Sequence, residues 1–327
     1  MSHGGSWLTV TDVPVSQANQ LLGASYRLYR NTETNDTTVR TVGYALPTVL
    51  HTCIRTVAPT TYFPSTRGMR QTINRRPFGA APAQAPAAPG NVVAARQDPQ
   101  DPGITPSVLR WLYKAESYKP LVPLQNTIGI LGIDNEYPNR LDLARFLGRY
   151  RSDARNPGYT QGYTVTKLNG GKYDPRTPGV EASIGTQYAS AMAYPIPLVF
   201  YSVGGDAAWG RDGEPTITDM YLEWLQSLLH EDHIPQTIVI SYAHSEQELP
   251  IQYASFLCKL FATLGVRGVT VLVSSGNAGV GGGNCVNADG LVQFMPEFPS
   301  SCTCGVVIPS EHQTSASISH SPDCHGL

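Results

Sequence analysis

An acid just after an apolar run, a glycine cluster, a His-x-x-His pair and a cysteine–histidine group are where this sequence offers residue types able to do chemistry. Asp134 follows Thr127-Ile-Gly-Ile-Leu-Gly-Ile133, at a strand end where open parallel sheets place ligands. With no partner identifiable in the sequence, it reads as a helix or turn cap. Gly279–Gly283 has the glycine content of a phosphate loop, but no Gly-Lys-Ser/Thr follows, so it reads as a tight turn. His230-Glu-Asp-His233 lacks the i,i+4 histidine spacing of a zincin helix, and charge and capping at a helix end account for it. Cys302-Thr-Cys304 with Cys324-His325 imitates a zinc site without a strong ligand spacing. No resident metal is expected. The most informative acid is Glu181, within Pro178-Gly-Val-Glu-Ala-Ser-Ile-Gly-Thr-Gln-Tyr188.

The elements that must position such an acid follow from periodicity. Residues 7–62 hold short alternating segments, Trp7–Val10, Tyr26–Tyr29 and Val39–Tyr44, with apolar-periodic stretches at Val15–Leu22 and Leu46–Ile54. Strands of period two among short helices predict a small α+β domain. Residues 64–103 are Pro- and Ala-rich with almost nothing to bury, and read as an extended linker. From Ile104 apolar strands alternate with amphipathic helices: Thr127–Ile133, Leu141–Tyr150, Leu198–Val203, Thr216–Leu229, Thr237–Ser241, Leu249–Leu264 and Gly268–Ser274. This alternation predicts a parallel α/β sheet with flanking helices, covered on both faces. Residues 304–327 lose the alternation and read as a divergent, unstructured tail. The domain organisation expected is therefore 1–63, 64–103, 104–303 and 304–327.

Composition narrows the function classes. The 327 residues carry 23 basic and 25 acidic side chains, a formal charge of -2, which gives no electrostatic case for nucleic acid or a membrane surface. No apolar run approaches the roughly 18 residues of a membrane span. The first seven residues have neither the basic nor the apolar region of a signal peptide. Of six cysteines, Cys285 and Cys302 flank a Gly-rich loop whose closure by a disulfide would stabilise by roughly 3 kcal/mol. Six reduced thiols are the alternative. Asn35-Asp36-Thr37 is a glycosylation sequon, with Asn35 the acceptor.

The stretch Pro178–Tyr188 resembles the Glu-Ala-x-Leu-Asp-x-Gln-Tyr helix of the sedolisins, serine-carboxyl peptidases of subtilisin-like fold. Ile104-Thr-Pro-Ser-Val-Leu-Arg-Trp-Leu-Tyr113 is similar to the start of the mature enzyme. Ser274-Ser-Gly-Asn-Ala-Gly279 through Phe294–Cys302 is similar to the family's Ser-Gly-Asp-Ser-Gly segment and its sequel. Trp7–Val10 through Val57–Thr61 resembles the C-terminal half of the propeptide. The likeness is strongest to fungal tripeptidyl peptidases.

The resemblance implies a serine nucleophile activated by a glutamate base, a second carboxylate orienting that base, and an aspartic acid donating to the oxyanion. Carried over, Glu181 is the general base, Gly185 takes the orienting-acid position with the side chain lost, and Asn277 takes the oxyanion position. An Asn amide remains a donor; Gly185 cannot replace a carboxylate. The serine nucleophile segment is absent: Thr314-Ser-Ala-Ser317 mimics it, but Gln313 stands at the Gly position and the missing strands cannot be bridged before it. The family's calcium site, also C-terminal, is absent too, so no cofactor is expected here.

The expectation is a propeptide remnant plus a partial, incomplete catalytic domain that does not hydrolyse peptides as written. Kinship implies proteolysis at acid pH by a secreted enzyme, extracellular or vacuolar, acting as tripeptidyl peptidase or endopeptidase on a peptide or protein substrate. The alternative is a non-catalytic pseudopeptidase that binds peptides or an active paralogue.

Overall fold

The apolar runs assemble into one parallel sheet. The computed structural model describes residues 12–30, 37–54, 104–133, 135–154, 162–204, 220–276, 296–303 and 306–308, with a few isolated positions besides. Asn35, Asn277, Cys285, Ser315, Asp134 and the 64–103 stretch lie outside the described residues.

In the N-terminal region, helix α1 (Val15–Leu22) precedes an antiparallel pair, β1 (Arg27–Arg30) and β2 (Thr37–Arg40), in register Arg27↔Arg40 to Arg30↔Thr37. The α1 helix coincides with its expected span and ends at Gly23, whose φ of 53° is the left-handed cap glycine adopts readily. Leu46–Ile54 does not form the expected α-helix: only a 3-10 turn, Thr48–Leu50, appears there, after Pro47. The β2 strand stops at Arg40, short of the expected Tyr44.

From Ile104 the order is α2 (Pro106–Leu112), β3 (Ile128–Gly132), α3 (Arg140–Tyr150), β4 (Tyr163–Leu168), α4 (Val180–Ala193), β5 (Leu198–Val203), α5 (Met220–His230), β6 (Thr237–Ile240), β7 (His244–Ser245), α6 (Ile251–Val266), β8 (Thr270–Ser274), β9 (Glu297–Phe298) and β10 (Val306–Ile308). Strand order is β10-β8-β6-β3-β5-β4, every pairing parallel, so the expected α/β sheet is present. The tail expectation needs correction. Val306–Ile308, assigned to an unstructured segment, adds to the sheet beside Leu272–Ser274. Three β-branched residues are too few to show a period, yet enough to extend a ladder that already exists.

Helices cover both faces. Ile128, Ile130, Leu198 and Phe200 point to the side where Leu143 and Leu147 of α3 and Ala182 and Ala191 of α4 pack. Leu131, Tyr201, Ile238 and Ile240 point to the other side, against Trp224, Leu225 and Leu228 of α5 and Leu257, Phe261 and Leu264 of α6. Alternate strand residues thus feed two separate cores.

The disulfide expectation is also corrected. Cys302 is bonded to Cys258, with Cα atoms 5.3 Å apart, and not to Cys285. The reason is packing: β9 pairs with β7 (His244↔Phe298), and Phe298 and Cys302 enter the same core as Tyr253 and Leu257 of α6. That brings Cys302 onto the helix carrying Cys258, a neighbour no loop spacing reveals.

Candidate active site

Glu181 occupies the first turn of α4, which begins beyond β4 at the carboxyl ends of the parallel strands. Ligand sites of open α/β sheets lie at this edge. The buried stripe Ala182, Thr186 and Ser190 sets the helix against the sheet, at the i, i+4, i+8 spacing of one helical face. The Thr186 hydroxyl donates back to the Ala182 carbonyl at 2.8 Å, consuming a polar group that would otherwise be buried without a partner. Outside the helix, the Tyr188 hydroxyl donates to the Ile104 carbonyl at 2.6 Å, and the Arg110 guanidinium donates to the Met192 carbonyl at 3.0 Å. The segment carrying α2 is thereby fastened along α4.

The start of α4 is fixed by the loop that leaves β3. Tyr137 bridges Pro178 in parallel, and the Gly179 N–H donates to the Tyr137 carbonyl at 3.0 Å. Asn139, the N-cap of α3, accepts from the Leu141 and Asp142 N–H groups and uses its own amide to donate to the Pro175 carbonyl at 2.7 Å. Tyr163 and Tyr173 both donate to the Pro138 carbonyl, at 2.9 and 3.2 Å. Burial and the neighbouring Tyr173 push the Tyr163 phenol far above its ordinary range, so it stays a donor at any working pH. Two loops, 135–139 and 173–179, behave as one clamp around the N-terminus of α4.

Within that clamp lies a carboxylate that the sequence reading passed over. Glu136 Oε2 accepts from the Glu181 N–H at 2.9 Å. Gly179, the N-cap, has no side chain to do this itself. A Cβ on Gly179 would meet the Glu136 Cβ at 2.4 Å, so the residue must be glycine for Glu136 to reach the helix end. The signal that pointed to Asp134 applied equally to Glu136, an acid two residues further along the same strand-end loop.

Burial pushes the Glu181 carboxyl up to about 7, with repulsion from Glu136 as the second cause. A carboxyl in that range is partly protonated near neutrality, and so can accept a proton from a hydroxyl and return it, the property a general base requires. Gly185, four residues on, sits on the same side. A Cβ there would approach only Ile130 Cγ2, at 3.3 Å, so the space an acid side chain would start from is open apart from one tight contact.

Across the sheet, β8 ends at Ser274 on the same edge, and Gly276 follows with a φ of 84°. A Cβ on Gly276 would lie 3.2 Å from Glu297 Cγ, and Glu297 is a buried carboxyl. Glu297 was not singled out in the sequence either. His230 closes α5, its ring nitrogen Nδ1 2.6 Å from the Gln226 carbonyl, as its reading as a helix-end residue requires. No group of three or more His, Cys, Asp or Glu residues able to hold a metal occurs among the described residues. No helix of the described residues is long and apolar enough to cross a membrane.

Residues 1–63 match the family model described as Pro-kumamolisin, activation domain. Tripeptidyl-peptidase sed4 of Aspergillus fumigatus is 31% identical over 300 residues, which is 88% of this chain and 48% of that protein. Tripeptidyl-peptidase SED4 of Arthroderma otae is 28% identical over 317 residues, 94% of this chain and 50% of that protein. The probable tripeptidyl-peptidase SED2 of Trichophyton verrucosum is 28% identical, covering 91% of this chain and 50% of its own length. The chain spans about half the length of the curated relatives it matches. A solved Pseudomonas sedolisin, a serine-carboxyl proteinase complexed with two molecules of pseudo-iodotyrostatin, covers 62% of this chain and 52% of its own, at 21% identity and a TM-score of 0.45. The sequence matches decide the matter: the chain belongs to the sedolisin family of serine-carboxyl peptidases, with an activation domain and part of a catalytic domain.

Proposed function

We propose that this protein carries the acid–base half of a tripeptidyl peptidase active site, with Glu181 as the general base for a serine hydroxyl. The observation that carries the reading is the placement of Glu181: half-buried at the carboxyl edge of a parallel sheet, with its carboxyl raised to about 7. Asn277, the residue after Gly276 in the sequence, is the oxyanion donor in this reading. Its amide donates at any pH, so the oxyanion contact does not itself require acid. The substrate is a peptide with a free N-terminus, the chemistry in the names of the matched relatives. The Cys258–Cys302 disulfide supports an extracellular location, since such bonds persist in oxidising compartments.

Mass spectrometry of a peptide incubated with the product of the complete transcript tests this. Tripeptides are expected to be released, and E181Q is expected to lower kcat/KM by roughly 10²–10⁴, the usual contribution of a general base. Undiminished activity in E181Q would overturn the assignment. The 327-residue chain is expected to release none, because its one Thr-Ser-Ala-Ser stretch has Gln313 where the family pattern has Gly.

A second reading is favoured by one observation, the glycine at position 185 where the family pattern has an acid. In it the chain binds peptides or an active paralogue without catalysis. Mixing the chain with an active relative at pH 4 and finding lowered peptidase activity would support that reading; unchanged activity would remove it.

A further inference from the structure

We propose that Glu136 is the positioning carboxylate of this site, standing at the N-terminus of α4 where it orients Glu181, in place of the acid that position 185 lacks. The inference rests on the reading of Glu181 as the base.

Geometry carries it. The Glu136 carboxylate reaches the Glu181 N–H at 2.9 Å, so the two residues are locked together through the first turn of the helix. Gly179 makes the approach possible, since any side chain there would collide with Glu136. The approach is not incidental to a loose loop. Tyr137 and Asn139, on either side of Pro138, are tied to Pro178, Gly179 and Pro175, and Pro138 itself accepts from two tyrosines. A carboxylate beside a helix N-terminus is stabilised in its charged form by the exposed N–H groups and the helix dipole. Glu181, half-buried and held against that charge, has its carboxyl displaced upward, by burial first and by Glu136 second.

Other ionisable groups of the surrounding elements are engaged elsewhere. On α3, Asp142 lies 3.5 Å from Arg145, and Arg140 stacks on the Tyr163 ring. Beyond α3, Arg151 pairs with Asp153 at 2.7 Å. In the loop before α4, Asp174 pairs with Arg176 at 2.8 Å. On β3, the residue facing position 185 is the apolar Ile130. Among the described residues, Glu136 is the charged group that acts on Glu181.

The two substitutions that separate charge from structure are Glu136→Gln and Glu181→Gln. Glutamine at 136 keeps a carbonyl able to accept from the Glu181 N–H, so the clamp survives while the charge goes. Side-chain carboxyl carbons are followed by NMR from pH 3 to 9 in the 327-residue chain and both variants. In E136Q the Glu181 midpoint is expected to move down by roughly half a pH unit to one pH unit. A Glu181 midpoint that stays put in folded E136Q overturns the proposal while leaving the base assignment intact. Should the Glu181 shift appear but E181Q of the complete product keep full peptidase activity, the base assignment falls and the proposal falls with it. If E136Q fails to fold, E136A is titrated in its place, and an unmoved Glu181 midpoint there overturns the pairing.

Discussion

The two faces of the sheet are built from different materials. On the α5/α6 side, Trp224, Leu225, Leu228, Leu257 and Phe261 are completely or almost completely buried, and the Cys258–Cys302 bond ties α6 to the β9 segment. On the other side α3 adds Leu143 and Leu147, but α4 lays only small residues against the sheet, Ala182, Thr186 and Ser190, with Gly185 between them. Bulk apolar side chains from both helices hold one face by area removed from water; on the other, α4 uses small residues that let it lie close. The difference teaches where stability and function are separated. The thick face bears the fold, and the thin face brings the first turn of α4, with Glu181, close to the loop that leaves β3.

Breaking the thick face should cost most. Phe261→Ala leaves a cavity in the larger core and is expected to destabilise by about 3–5 kcal/mol, read from urea unfolding. A loss under about 1 kcal/mol would mean that α6 does not bear the core. Next in size is the cross-link. Replacing Cys258 and Cys302 together by Ala opens a loop of sequence separation 44 and is expected to cost about 2–4 kcal/mol. An unchanged unfolding midpoint in reducing buffer would say that the bond contributes nothing.

The thin face sharpens the comparison from the opposite direction. There the danger is added volume, so Ala182→Leu is expected to cost about 1–3 kcal/mol by overpacking against the sheet. Because Ala182 follows Glu181 directly, the same change is expected to disturb the Glu181 titration, whereas Phe261→Ala leaves it in place. Finding the reverse would erase the distinction between the faces.

Much of this architecture is legible in the sequence because the thick elements advertise themselves. The strand Ile128–Gly132, the helix Arg140–Tyr150 and the strand Leu198–Val203 fall on the expected runs, since buried strands are continuously apolar and α3 repeats its Leu residues on one face. The strand Tyr163–Leu168 was not anticipated: it lies at the sheet edge, and its alternating Thr and Lys residues dilute the apolar signal. Leu46–Ile54 has helical spacing but lies in the small N-terminal region, where no buried face rewards a full helix.

The candidate site divides along the same line. Glu181 and Gly185 were legible through the resemblance of Pro178–Tyr188 to the sedolisin helix. Glu136 and the Cys258 partner of Cys302 were not, because both depend on which loops meet after folding. Their sequence separations carry no local period.

The measurement that bears most directly on Glu181 as a poised proton acceptor is thermal unfolding of the wild-type chain and E181Q from pH 4 to 8. A carboxyl whose folded-state pKa lies above its unfolded value of 4.5 favours folding while protonated, and that contribution is lost as pH rises through about 7. The wild-type midpoint is therefore expected to fall relative to E181Q between pH 4.5 and 7, leaving the variant the more stable of the two above that window. A constant difference between the two curves would place the Glu181 carboxyl at its ordinary pKa and contradict the account.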